Sequence, residues 1–179
     1  MTTPPSTPTP GSGGAEPSWT PPTATRRLGI LRRARTVALV GASDNPSRAS
    51  FFVASYLLAS SPYEVWFVNP RLREILGRPV SPSLADLPGT PDIASVFRRH
   101  SDLPAVLDEA VEAKVAVLWL QLGLWHPEVA ERGTRAGLTV VMNRCVKIEH
   151  ARFHGGLHLA GFNTGVISSR RPSPSTPDR

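Results

Sequence analysis

Thiols are nearly absent from this chain: Cys145 is its single cysteine. No disulfide can form within it, and a thiolate cluster around a metal is excluded. Lysine is scarce too, with Lys114 and Lys147 the only two beside eighteen arginines, a bias that base composition explains more simply than function. No run approaches the roughly 18 apolar residues of a membrane span. The N-terminal residues also lack the apolar core of a secretory signal. A soluble, cytoplasmic protein without membrane contact is the expectation.

What the chain has in excess is proline and positive charge, and both are unevenly placed. Of 179 residues 19 are proline, and residues 1–22 are almost entirely Pro, Ser, Thr and Gly, with Trp19 their one large apolar side chain. Such a segment cannot bury enough surface to offset its ordering entropy. The predicted organisation is a disordered tail over 1–23, one domain over 24–165 and a second, basic tail over 166–179. The formal charge of +6 invites a nucleic-acid reading. Between Thr36 and Gly165, however, twelve basic residues meet twelve acidic ones, so the whole excess sits in the flanks. Nucleic acid is therefore not the expected partner, and the Arg26–Arg35 cluster reads as a solvated helix face.

Apolar runs alternate with amphipathic ones over about 120 residues. Strands are predicted at 36–41, 64–68, 92–97, 115–120 and 138–142, and helices at 24–35, 50–60, 104–114, 127–136 and 146–153. In the first helix Leu28 and Leu31 are the expected inward residues. The stretch 74–87 carries mixed signals and is assigned no strand. This spacing predicts an α/β fold: a doubly wound, mainly parallel five-stranded sheet with helices on both faces. In such sheets ligands bind at the carboxyl ends of the strands, near the switch point.

The first strand ends in the turn Gly41-Ala42-Ser43, which leads through Arg48 and Ser50 into a helix. Amides at a helix start are unpaired and the helix dipole favours an anion there. The two further glycines of a dinucleotide fingerprint are missing. Ser43, Arg48 and Ser50 would instead hold a pyrophosphate through side chains. The other strand ends bring Asn69, Pro70 and Arg71, then Phe97 and Arg98, then Gln121, Leu122 and Gly123, then Asn143, Arg144 and Cys145. Arginines at four of the five ends fit a phosphorylated ligand, since a guanidinium binds phosphate bidentately. An NAD site would place an acid after the second strand. Arg71 there suits a ribose bearing an extra phosphate, as in NADP or coenzyme A, and the turn does not separate these two.

The segments GASDNPSRAS, VNPR, SLADLP, DIASVFRR, VLWLQLG and LTVVMNRC, in this order, resemble the bacterial CoA-binding proteins of the small, stand-alone Rossmann type. That family is similar to the CoA-binding domain at the N-terminus of the succinyl-CoA synthetase alpha subunit. The resemblance spans roughly Thr36 to His150 and implies coenzyme A as ligand, without the ligase and ATP-grasp parts of a synthetase. It implies that Gly41, Ala42, Ser43, Arg48 and Ser50 hold the pyrophosphate, and that Asn69, Pro70 and Arg71 flank the adenosine and its 3′-phosphate. Phe97 and Arg98 would line the nucleotide edge, and Gln121 and Gly123 the pantetheine arm. The family commonly has Asp where this chain has Asn143, which leaves no carboxylate for acid–base work there.

No nucleophile–base–acid arrangement is legible, and neither His100 nor His126 is spaced to serve Ser43. The expected function is binding of CoA or an acyl-CoA as a carrier, sensor or accessory subunit without its own catalysis, as a homodimer or beside a partner enzyme. Two alternatives stand: an NADP-dependent oxidoreductase using the same cleft, or an interaction module that binds an acidic partner through its Arg-rich flanks. Cys145 lies beside Arg144 and Lys147, cations that would lower a thiol pKa, although free cysteines are usually buried and inert. His150, His154 and His158 recur every four residues, but Gly155 and Gly156 interrupt the row. Surface or capping histidines are expected there, and no metal site.

Overall fold

The computed structural model describes residues 19–154, the last without its side chain. His158, the tail residues 1–18 and the whole segment 155–179 lie outside the described residues. The chain runs through α1 (Ala24–Arg33), β1 (Thr36–Val40), α2 (Ala49–Ser60), β2 (Glu64–Val68), β3 (Glu74–Ile75) and β4 (Arg78–Ser81). It continues through β5 (Ile93–Val96), α3 (Leu103–Glu112), β6 (Val117–Leu120), α4 (Pro127–Arg135), β7 (Thr139–Val141) and α5 (Val146–His154).

The strands form one sheet in the order β3-β4-β2-β1-β5-β6-β7. All neighbours pair in parallel except β3 with β4. From β1 the chain winds outward through β2, then returns to the other side of β1 and winds outward through β5, β6 and β7. The switch point lies between β1 and β5, where two βα loops diverge and leave a crevice.

Alternation along the strands divides the core in two. Val37, Leu39, Phe67, Ile93 and Trp119 face α1, α2 and α5, meeting Ile30, Leu31, Val53, Leu57 and Val146. Ala38, Val40, Val96, Leu118 and Val140 face α3 and α4, meeting Val106, Leu107, Val129 and Ala130. Both sheet faces are covered, which is why the central strands read as unbroken apolar runs.

Four expectations are corrected. The sheet has seven strands, because residues 74–81 form a hairpin whose outgoing strand extends the edge beside β2. Its two-residue turn sets Leu76 at φ 53° and Gly77 at φ 72°, the left-handed pair that matches strand twist. In α1, Arg27 and Ile30 are buried with Leu31, whereas Leu28 is only half-buried. Residues 19–23, grouped with the tail by composition, dock on the domain: the Trp19 indole donates to the Val140 carbonyl (2.9 Å) and meets Trp125 edge-on at 5.6 Å. His150 is no surface residue; it is 2 % exposed, bonded to the Tyr56 hydroxyl (3.0 Å) and packed edge-on against Tyr63.

Candidate functional site

A cleft of about 400 Å³ opens at the carboxyl ends of the strands over the switch point. It is lined by Gly41, Ser43, Arg48, Ala49, Ser50 and Val53 from the β1–α2 segment, and by Phe97 and Arg98 after β5. Gln121, Leu122 and Leu124 after β6 and Cys145 after β7 complete it.

Gly41 is where the backbone demands glycine. Its φ is +82°, and a Cβ there would lie 2.8 Å from the Phe97 carbonyl oxygen and 3.0 Å from the Arg98 Cδ. The missing side chain lets the turn sit against the end of β5 and brings Arg98 beside it. Beyond Gly41, short polar side chains shape the loop. The Ser43 amide donates to Ser50 Oγ (3.1 Å), the Asn45 amide to Ser43 Oγ (3.2 Å) and the Ser47 amide to Asn45 Oδ1 (2.9 Å). Each serine oxygen thus accepts from the backbone and keeps its own O–H to donate. Arg48 occupies the N-cap of α2 without a side-chain cap bond. The first-turn amides of Ala49 and Ser50 therefore start the helix with no intrahelical acceptor, at the positive end of its dipole.

Arg48 is exposed and Arg98 half-buried. Among the described residues neither forms an ion pair or a side-chain hydrogen bond. Among the described residues no acidic side chain lines the cleft. Two unpaired guanidiniums, two hydroxyls and an uncapped helix start converge on one opening, an arrangement that attracts and holds an anion.

Of the twelve residues singled out in the sequence, the structure brings seven together: Gly41, Ser43, Arg48, Ser50, Phe97, Arg98 and Gln121. Ala42 is buried, and its carbonyl accepts from Asn69 Nδ2 at 2.7 Å. Asn69 also takes the Arg71 amide on Oδ1 (2.8 Å), so its side chain joins the β2 turn to the β1 turn. Asn69, Pro70 and Arg71 do not line the cleft, and Pro70 and Arg71 are exposed. Nor does Gly123, whose amide donates to Asn143 Oδ1 at 2.9 Å. Asn143 itself stands at φ 52°, a region that asparagine tolerates well. Gln121 is at the cleft floor, but its amide is engaged: Nε2 donates to Ser95 Oγ (2.7 Å) and Oε1 accepts from the Val146 amide (3.4 Å).

The other five lining residues, Ala49, Val53, Leu122, Leu124 and Cys145, are not among those twelve. Leu122 and Cys145 stand in the strand-end sets. Val53 is a buried residue of α2, and nothing in the sequence marks it as reaching the cleft. Among the described residues no three His, Cys, Asp or Glu side chains gather as a metal site would require. No described helix is long and apolar enough to cross a membrane.

The fold is that of a Rossmann-like α/β domain with a polar cleft at its switch point. The sequence matches the CoA binding domain family over residues 35–151, and the chain belongs to that family. It is 40% identical over 122 residues to the uncharacterized protein YneT of Bacillus subtilis, covering 68% of this chain and 90% of that one. A solved structure of a hypothetical protein from Pyrococcus horikoshii superposes with a TM-score of 0.71 at 34% identity, covering 74% of this chain and 93% of that one. The dinucleotide-forming acetyl-coenzyme A synthetase 1 of Ca. Korarchaeum cryptofilum shares the fold, with a TM-score of 0.55 at 23% identity. That match covers 63% of this chain and 27% of the synthetase.

Proposed function

We propose that this protein binds coenzyme A in the cleft over the switch point, as a cytoplasmic carrier, sensor or accessory subunit rather than as an enzyme by itself. The observation that carries this reading is the pair of guanidiniums, Arg48 and Arg98, unpartnered among the described residues, beside the uncapped start of α2 in a cleft that no described acid lines. The pyrophosphate would sit there, with Ser43 and Ser50 donating. The adenosine would lie toward β2, outside the cleft proper, where Asn69 and Pro70 shape the turn and exposed Arg71 meets the 3′-phosphate. Membership of the CoA binding domain family favours CoA over NADP.

Calorimetric titration of CoA, dephospho-CoA and NADP tests the assignment. A hydrogen bond to a charged group is worth about 1.5–3 kcal/mol, so Arg48→Ala and Arg98→Ala should each weaken CoA binding about tenfold or more. Arg71→Ala should weaken CoA more than dephospho-CoA. Equal losses for the two ligands would contradict the 3′-phosphate assignment, and preferential binding of NADP would overturn the CoA reading.

A further inference from the structure

The cleft changes character along the sheet. At the β1–β5 switch point it carries Ser43, Arg48 and Arg98, while at β6 and β7 it is built from Leu122, Leu124 and Cys145, joined by Val53 of α2. Leu122 is 59% exposed, a large apolar side chain open to water on the wall of the cleft. The neighbouring polar group is already engaged at both ends, since the Gln121 amide donates to Ser95 and accepts from Val146. Arg144 and Lys147 flank Cys145 in sequence, but neither lines the cleft. The Lys147 ammonium lies 5.5 Å from the Tyr56 ring centre. Among the described residues, this end offers apolar contact and one thiol, and no cation lines it to meet a carboxylate.

From this gradient we propose that the ligand is an acyl thioester of CoA carrying an apolar acyl group, laid against Leu122, Leu124 and Val53. The inference rests on the CoA reading above and adds the class of acyl chain. A dicarboxylic acyl group is disfavoured because its second carboxylate would lose water against leucine without gaining a partner. Each methylene buried on the leucine wall should tighten binding about threefold, somewhat below full burial because the cleft is open on one side.

The test is calorimetry on the full chain, under a thiol reductant that keeps Cys145 and CoA reduced. The ligands are CoA, acetyl-CoA, butyryl-CoA, hexanoyl-CoA and succinyl-CoA. Affinity should rise about threefold per methylene from acetyl to hexanoyl, and succinyl-CoA should bind at least about tenfold more weakly than butyryl-CoA, which matches it in chain length. Leu122→Asn, an exposed loop substitution, should flatten the chain-length slope. A flat series in the parent protein, a slope unchanged in Leu122→Asn, or succinyl-CoA binding as tightly as butyryl-CoA overturns the acyl assignment. Any of these leaves the CoA reading standing as long as CoA itself binds. Failure of every compound, CoA included, overturns both.

Discussion

At the scale of single residues, the site depends on an absent side chain. Gly41 combines a left-handed backbone with a Cβ position already filled by the Phe97 carbonyl and the Arg98 side chain. Gly41→Ala should therefore cost about 2–4 kcal/mol, the sum of backbone strain and displacement of the β5 end. A urea denaturation curve reads that loss, and a midpoint within error of the parent would show that the turn yields freely. Gly41 was legible in the sequence because an apolar strand that ends in glycine before a polar helix start has few other meanings. Ser43 and Ser50 were legible as cleft residues too. Their bonds to the loop amides were not, since nothing in the order of residues tells a hydroxyl that faces a ligand from one that accepts from its own backbone. Asn69 shows the same ambiguity: its type and place suggested ligand contact, while its side chain joins two turns.

At the scale of elements, long apolar strands and amphipathic helices were readable, and short or clamped pieces were not. The hairpin β3–β4 escaped detection for three physical reasons. Its strands are two and four residues long, and Pro79 argues against a strand because it cannot donate to the ladder. Leu76 at positive φ also gives no turn signal of the kind that Asn or Gly would. The arginine-rich α1 misled in another way. Periodicity and charge made it a solvated face, yet Arg27 turns inward, where its Nε donates to Glu149 of α5 at 2.7 Å and its Nη1 to the Pro22 carbonyl at 2.6 Å. One guanidinium thus joins α1, α5 and the docked segment that includes Trp19. Arg27→Met should destabilise the fold by about 3 kcal/mol, since Glu149 is left charged and buried. Arg152 offsets part of this, because it reaches the same carboxylate at 3.7 Å. The double variant Arg27→Met with Glu149→Leu should recover much of the loss. A double variant as unstable as the sum of the singles would show that the pair is held by geometry other than charge.

At the scale of the whole molecule, Tyr63 fastens the helical layer over the half of the sheet that includes β2. It precedes β2 and is 7% exposed. Its hydroxyl donates to the Leu31 carbonyl of α1 at 2.6 Å, and its ring meets His150 of α5. Burial, and then the neighbouring charge of Tyr56, pushes its pKa up to about 12 from the ordinary 10.0. Only the neutral phenol can donate to Leu31. Because the folded-state pKa is the raised one, the contribution of Tyr63 is fully present below pH 10 and is lost as pH rises towards 12. At 1.36 kcal/mol per unit the loss should be roughly 2 kcal/mol. Urea unfolding followed from pH 8 to pH 12 should show stability level to about pH 10 and then falling. Tyr63→Phe should start about 1 kcal/mol lower for want of the hydrogen bond and decline much less. Parallel declines in the two proteins would place the alkaline sensitivity elsewhere and leave Tyr63 as packing alone.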